Sequence, residues 1–108
     1  MNNGVIFLDF KAFDMIVEKL SPALLAQEFE APQPYEVENG KAVVFTSGNL
    51  AYGVFYDLKT KRFDLKSTTM EEGKEPKWRS LSTWMFDPDT DTTGDAESIA
   101  NDFLETVE

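Results

Sequence analysis

The chain contains no cysteine and no histidine. Without cysteine there is no disulfide framework, and such a chain is at home in the reducing cytoplasm. Without either residue, cysteine–histidine zinc sites, histidine-ligated haem and nucleophiles activated by histidine are all excluded. Carboxylates, lysines and tyrosines are what remains for proton transfer, so the expectation is a domain that is not an enzyme and carries no cofactor. Long apolar runs are also missing. Residues 5–8 (Val-Ile-Phe-Leu) form a short apolar patch, far below the roughly 20 residues a bilayer span needs. No positive charge precedes that patch and no small-residue cleavage site follows it before Lys11, so it does not read as a signal peptide and no membrane association is expected.

Basic charge is scarce. Ten Lys and Arg stand against twenty Asp and Glu, a net charge of −10 over 108 residues. The imbalance is uneven: residues 57–84 carry an excess of two basic groups, whereas residues 85–108 carry eight acids and no base. A field of this sign repels phosphate backbones and anionic lipid, and favours basic partners or simple solubility. What is plentiful is apolar material. Hydrophobic residues make up 42% of the chain, including nine Phe, three Tyr and two Trp. That suffices for one core without metal or disulfide staples, and the length suits a single domain spanning residues 1–108.

Phe10, Phe13, Val17, Leu20 and Leu24 recur at spacings of three and four, the signature of one buried helical face. Ile6 extends the stripe back towards Asn3, although residues 5–9 also fit a short strand. Pro22 behind Ser21 implies a kink, or a second short helix starting there. From Pro32 the period becomes two. Asn39-Gly40 predicts a tight type I′ hairpin with Glu38 facing Lys41. Residues 41–46, 50–56 and 62–66 then read as strands joined by polar turns, and residues 78–86 as a fifth strand or an irregular segment. Lys61, Arg62 and Lys66 mark residues 62–66 as a charge-protected edge candidate. Asp95 is the candidate cap for a last helix whose apolar stripe is Ile99, Ala100, Phe103, Leu104 and Val107. That helix has no C-capping glycine where the chain stops, as in a domain cut from a longer protein or a helix that frays. The fold class expected is α+β: an antiparallel four- or five-stranded meander packed by an N-terminal and a C-terminal helix.

The order helix, meander, helix resembles the small α+β domains of the type III secretion chaperone-like and YbjN-like group. That group places a helix after the third strand, where this chain has residues 70–76 with Gly73 and Pro76. The resemblance implies a non-enzymatic, dimeric, protein-binding role.

Two constellations stand out. In residues 87–95, Asp87, Asp89, Asp91 and Asp95 are the candidate metal ligands, because alternating carboxylates in a tight loop can converge on a hard cation such as calcium. An EF-hand loop also needs Gly at its sixth position and Glu at its twelfth, where this chain has Thr92 and Ser98. Those two mismatches favour a solvated turn leading into a capped helix over a calcium site. The second constellation is aromatic: Trp78, Trp84 and Phe86 stand beside Lys74, Lys77 and Arg79, and Trp78 and Trp84, with Phe55 of residues 50–56, are the candidate interaction residues. Rings beside bases can stack on single-stranded nucleic acid, but the net charge opposes it, leaving core packing or a protein-binding patch. Gly53, in mid-strand, marks close approach of another backbone or a ring, or a bulge. The leading functional expectation is an interaction or adaptor domain with a protein partner or a second copy of itself. Two others stand behind it: a calcium- or small-ligand-binding module, and an acidic nucleic-acid mimic that binds a basic protein.

Overall fold

The computed structural model describes the backbone from Asn3 to Glu108 and side chains from Lys11 onward. The elements run α1 (Asn3–Ala26), β1 (Gln33–Pro34), β2 (Gly40–Ser47), β3 (Leu50–Asp57), β4 (Arg62–Thr69), β5 (Arg79–Met85) and α2 (Thr93–Val107). The strands form a single antiparallel sheet in chain order. Both helices pack on one of its faces, which makes this the α+β meander read from the sequence.

Residues 3–9 are helical, which decides between the two readings of that segment. Phe13, Ile16, Leu20 and Leu24 are buried along α1. Ile16 takes the central place given to Val17, which lies half-buried beside it. The Phe10 and Ile6 side chains fall outside the described residues. Helix α1 runs through Pro22 as one element rather than two, and the Ser21 hydroxyl donates to the Val17 carbonyl at 2.8 Å.

The helix ends in a Schellman motif. The Phe29 N–H donates to the Leu24 carbonyl and the Glu28 N–H to the Leu25 carbonyl, both at 3.0 Å. Buried Phe29 then supplies the apolar contact that accompanies this motif. The motif puts Glu28 at φ +70, in the left-handed region where a side chain is disfavoured. Glu28→Gly should therefore stabilise the fold by about 0.5–1 kcal/mol, the strain removed exceeding the entropy that glycine adds to the unfolded chain. A rise in melting temperature checks it; a fall would mean that Glu28 makes a compensating contact.

The Asn39-Gly40 hairpin is not of the expected kind. Strand β1 pairs Gln33 with Val44 and Pro34 with Val43, and the Tyr35 N–H donates to the Ala42 carbonyl. Chain reversal therefore takes all of residues 36–41. Neither Asn39 nor Gly40 has the positive φ a type I′ turn requires. Glu38 does not face Lys41 either; Lys41 pairs instead with Asp14 of α1 at 3.2 Å. Gly40 is needed for another reason: it lies opposite Asp57, and a Cβ there would strike the Tyr56 carbonyl oxygen. By contrast Gly48 does turn the chain between β2 and β3, at φ +61.

The helix-facing side of the sheet carries Phe45, Val54, Tyr56, Phe63 and Leu65, all buried in one cluster with Phe13, Leu20, Ile99 and Phe103. Within it the Tyr56 hydroxyl donates to the Phe86 carbonyl at 3.0 Å, which pairs its one buried polar group. The two helices run alongside each other in the same sense. Residues 12–18 border a cleft with residues 91–96, and the Gln27 side chain reaches the Val107 carbonyl.

Strand β4 is not an edge, contrary to the reading of its lysines and arginine. It is paired on both sides, by β3 and β5. The free edges belong to two-residue β1 and seven-residue β5.

Candidate functional site

Among the described residues no helix covers the meander's second face, yet much of it is dry. Tyr35, Phe55 and Trp78 close over it, with ring centroids 5.1–5.8 Å apart and each pair edge-on. The Trp78 indole N–H donates to the Tyr35 hydroxyl at 3.3 Å. The Lys66 ammonium lies 4.8 Å from the Phe55 ring centroid, a cation–π contact on the solvent side. Beneath the rings Ala42, Val44 and Gly53 are buried. A Cβ on Gly53 would stand 2.5 Å from Phe55 Cε1 and 3.2 Å from Trp78 Cζ3. Gly53 is thus the seat of an aromatic lid, the ring approach among the alternatives raised for it. Of the three aromatic candidates, the fold brings Phe55 and Trp78 together and sends Trp84 elsewhere. Sequence reading missed Tyr35 as their third partner, because its place depends on how the loop after β1 returns.

Trp84 lies on β5, on the helix side of the sheet. Its indole N–H donates to the Asp102 carboxylate of α2 at 2.9 Å, and the Ser82 hydroxyl donates to the same oxygen. On the opposite side of β5 the Thr83 hydroxyl donates to Asp64, whose other oxygen accepts from Arg62 Nε at 3.1 Å. Asp64 is a buried acid with both oxygens paired, so it anchors β5 to β4 rather than offering a free base. These side chains hold the strand's inner edge and both of its faces. Its outer edge pairs with no other strand among the described residues.

Strand β5 carries three of the five large apolar side chains exposed among the described residues, Leu25 and Leu50 being the others. Met85 is 66% exposed, Trp84 38% and Leu81 36%. Because the Phe86 N–H donates to the Lys61 carbonyl, the alternation of an antiparallel ladder aims the backbone groups of Thr83 and Met85 away from β4, at open space. No carboxylate occurs in residues 76–86, and only Arg79 carries charge within the strand. Natural sheets blunt an edge with charge, proline or a bulge. Here a register shift beside Leu65 and Lys66 is the only such device along most of its length.

The acidic loop is organised by its own backbone. Asp87 accepts from the Asp89 N–H at 2.9 Å and pairs with Lys61 at 3.4 Å, while Asp91 accepts from the Asp87 N–H at 2.7 Å. The hydrogen bond from Asp89 is the largest influence on the Asp87 carboxyl and holds it below the usual aspartate range; desolvation opposes this and Lys61 reinforces it. The cap of α2 is Thr92 rather than Asp95. Thr92 has an extended backbone and its hydroxyl accepts from the Asp95 N–H, while Asp95 accepts from the Thr92 N–H at 2.8 Å. This capping box works because the acid sits three residues after the cap, where its carboxylate can reach back. Thus Asp87, Asp91 and Asp95 each hold local N–H groups. Among the described residues no three acidic side chains are grouped so as to hold a metal ion.

A cleft of about 440 Å³ opens between α1 and the approach to α2, with Ala12, Met15, Phe86 and Ala96 at its base and Asp14 and Glu18 at its rim. No described helix is long and apolar enough to cross a membrane. No protein-family model, no curated protein and no solved structure matches this chain.

Proposed function

We propose that this chain is a non-catalytic protein-interaction domain that engages protein along the free edge of β5. The observation that carries the reading is a seven-residue edge strand with exposed Leu81, Trp84 and Met85 and with backbone donors and acceptors facing outward. Such an edge accepts an added strand: main-chain hydrogen bonds supply affinity and the alternating side chains supply selectivity. The anchoring of both strand faces, by Asp102 and by Asp64, favours the same reading. A pre-ordered strand loses little conformational entropy on pairing, which leaves more of the contact energy for affinity. The resemblance to secretion-chaperone-like domains points the same way. By contrast, the aromatic candidates Phe55 and Trp78 act as a lid on the domain's own sheet.

A photo-crosslinking amino acid at Leu81, in cells making the protein, should trap a discrete protein adduct, whether with another chain or with a second copy. Met85→Lys should lower the yield at least tenfold, since it places a charge beside the pairing groups. Equal trapping from a crosslinker in the exposed β3–β4 turn at Lys59 would show that the β5 edge has no special role.

A further inference from the structure

We infer that the occupant of the β5 edge is the β5 edge of a second copy, in an antiparallel two-fold pairing that joins two five-stranded sheets into one of ten. This rests on reading β5 as a docking edge, and the charge pattern along the strand names its partner. The strand is entered through Lys77 and Arg79 and left through Asp87 and Asp89, with an uncharged middle. Reversing such a sequence against itself sets its basic end against its acidic end. With the two-fold axis at Thr83, the basic approach to each strand, Lys77 and Arg79, comes beside the acidic turn that follows the other copy's strand, where Asp87 and Asp89 stand. Leu81 comes beside Met85, and Ser82 lies opposite Trp84.

This register obeys the backbone as well. Thr83 and Met85 are the positions whose N–H and carbonyl groups face the free edge, by alternation from the Phe86–Lys61 bond. Antiparallel hydrogen-bonded pairs form between outward-facing residues, which is what Thr83 against Thr83 supplies; beyond Ser82 the register shift against β4 breaks the alternation, so the stretch from Ser82 to Met85 carries the ladder. The pairing is isologous, so each favourable contact occurs twice. It covers the most exposed large apolar side chain of the described molecule, Met85, together with Leu81. The charges it uses are available. Neither Lys77 nor Arg79 makes an ion pair among the described residues, and the Asp89 side chain makes none either. Asp87 shares its carboxylate with Lys61 at 3.4 Å and remains part-exposed.

The opposing term is the net charge of −10 on each copy. That repulsion is spread over the whole surface and is screened beyond about 8 Å at physiological salt, whereas the complementary ends of β5 meet in contact. A strand with an acid in place of Lys77 or Arg79 would lack this self-complementarity.

Light scattering over a concentration series at physiological salt should give a mass rising towards twice the 12.2 kDa of one chain. The Lys77→Glu variant and the Asp89→Lys variant should each raise the dissociation constant at least tenfold. An equimolar mixture of the two should recover a dimer containing one copy of each, because each charge reversal then meets its complement. Both substitutions alter exposed side chains, so unchanged melting of the monomer separates lost pairing from lost folding; Met85→Lys repeats the test without touching the charged ends. A dimer that survives all three variants would overturn the β5 pairing. A strict monomer whose Leu81 crosslinker traps a different protein would overturn the second copy and leave the interaction reading standing. A strict monomer that traps nothing would overturn both.

Discussion

Replacing Phe103 by alanine is expected to cost about 3–5 kcal/mol of folding stability, the usual loss for emptying a buried aromatic site. Phe103 is fully buried on α2, in the cluster that also holds Phe13, Leu20, Tyr56 and Phe63. The ring is thus shared between two helices and the sheet. Few ways exist to collapse the space it leaves, because the strands are fixed by their ladders and α2 by its capping box. Urea unfolding followed by circular dichroism measures the loss. A change well under 1 kcal/mol would mean that α2 is peripheral and that the sheet and α1 fold without it. A domain of this size has only some 5–15 kcal/mol in hand, so the substitution should leave it marginal.

The second large effect is expected on the opposite face. Trp78→Ala should cost about 2–4 kcal/mol, somewhat less than a fully buried tryptophan because the ring is half-exposed. It removes two edge-on ring contacts and the hydrogen bond to Tyr35, and it uncovers Val44 and Gly53 beneath. Phe55→Glu should also destabilise, since the new carboxylate would replace an apolar ring between Trp78 and Tyr35. If instead both substitutions leave the unfolding midpoint unchanged, the aromatic lid contributes nothing to stability and its rings are free for a partner. The same proteins can be checked for self-association, so one set of variants distinguishes a lid from an interface.

Much of the architecture was legible in the residues because it follows from period alone. The spacing of Phe13, Leu20 and Leu24 has one explanation, a helix with one buried face, and α1 carries them there. Alternation through Tyr52, Val54 and Tyr56 likewise puts those side chains on one side of a strand and Ala51, Gly53 and Phe55 on the other, as β3 has them. Where a local motif competed with longer-range pairing, the motif misled. Asn39-Gly40 carries a strong hairpin signal, but β1 pairs too far from it for a two-residue turn, and Gly40 answers to its neighbour Tyr56. Asp95 was placed in the right motif but in the wrong role, since a capping box uses an acid three residues after the cap and Thr92 could fill the first position. The charges of β4 misled for a different reason: Arg62 found a buried partner in Asp64 and Lys66 an aromatic one in Phe55, and both of the strand's edges were taken.

The candidate site was hardly legible at all. Nothing in the spacing of Tyr35, Phe55 and Trp78 says that they meet, because they come from three segments joined only by the order of strands in the sheet. Nor does the composition of residues 79–85 say that they end the sheet. A strand with few charges reads equally well as an interior one.

By itself the sequence determined most of the elements and their inward faces, and it excluded thiol and imidazole chemistry, since these depend on residue type and on spacing along the chain. Which strand stands last, which aromatic rings meet, and which carboxylates are already engaged were decided only by tertiary structure. Each of those depends on what lies beside a residue in space, and the choice of neighbours across a sheet is a property of the whole fold.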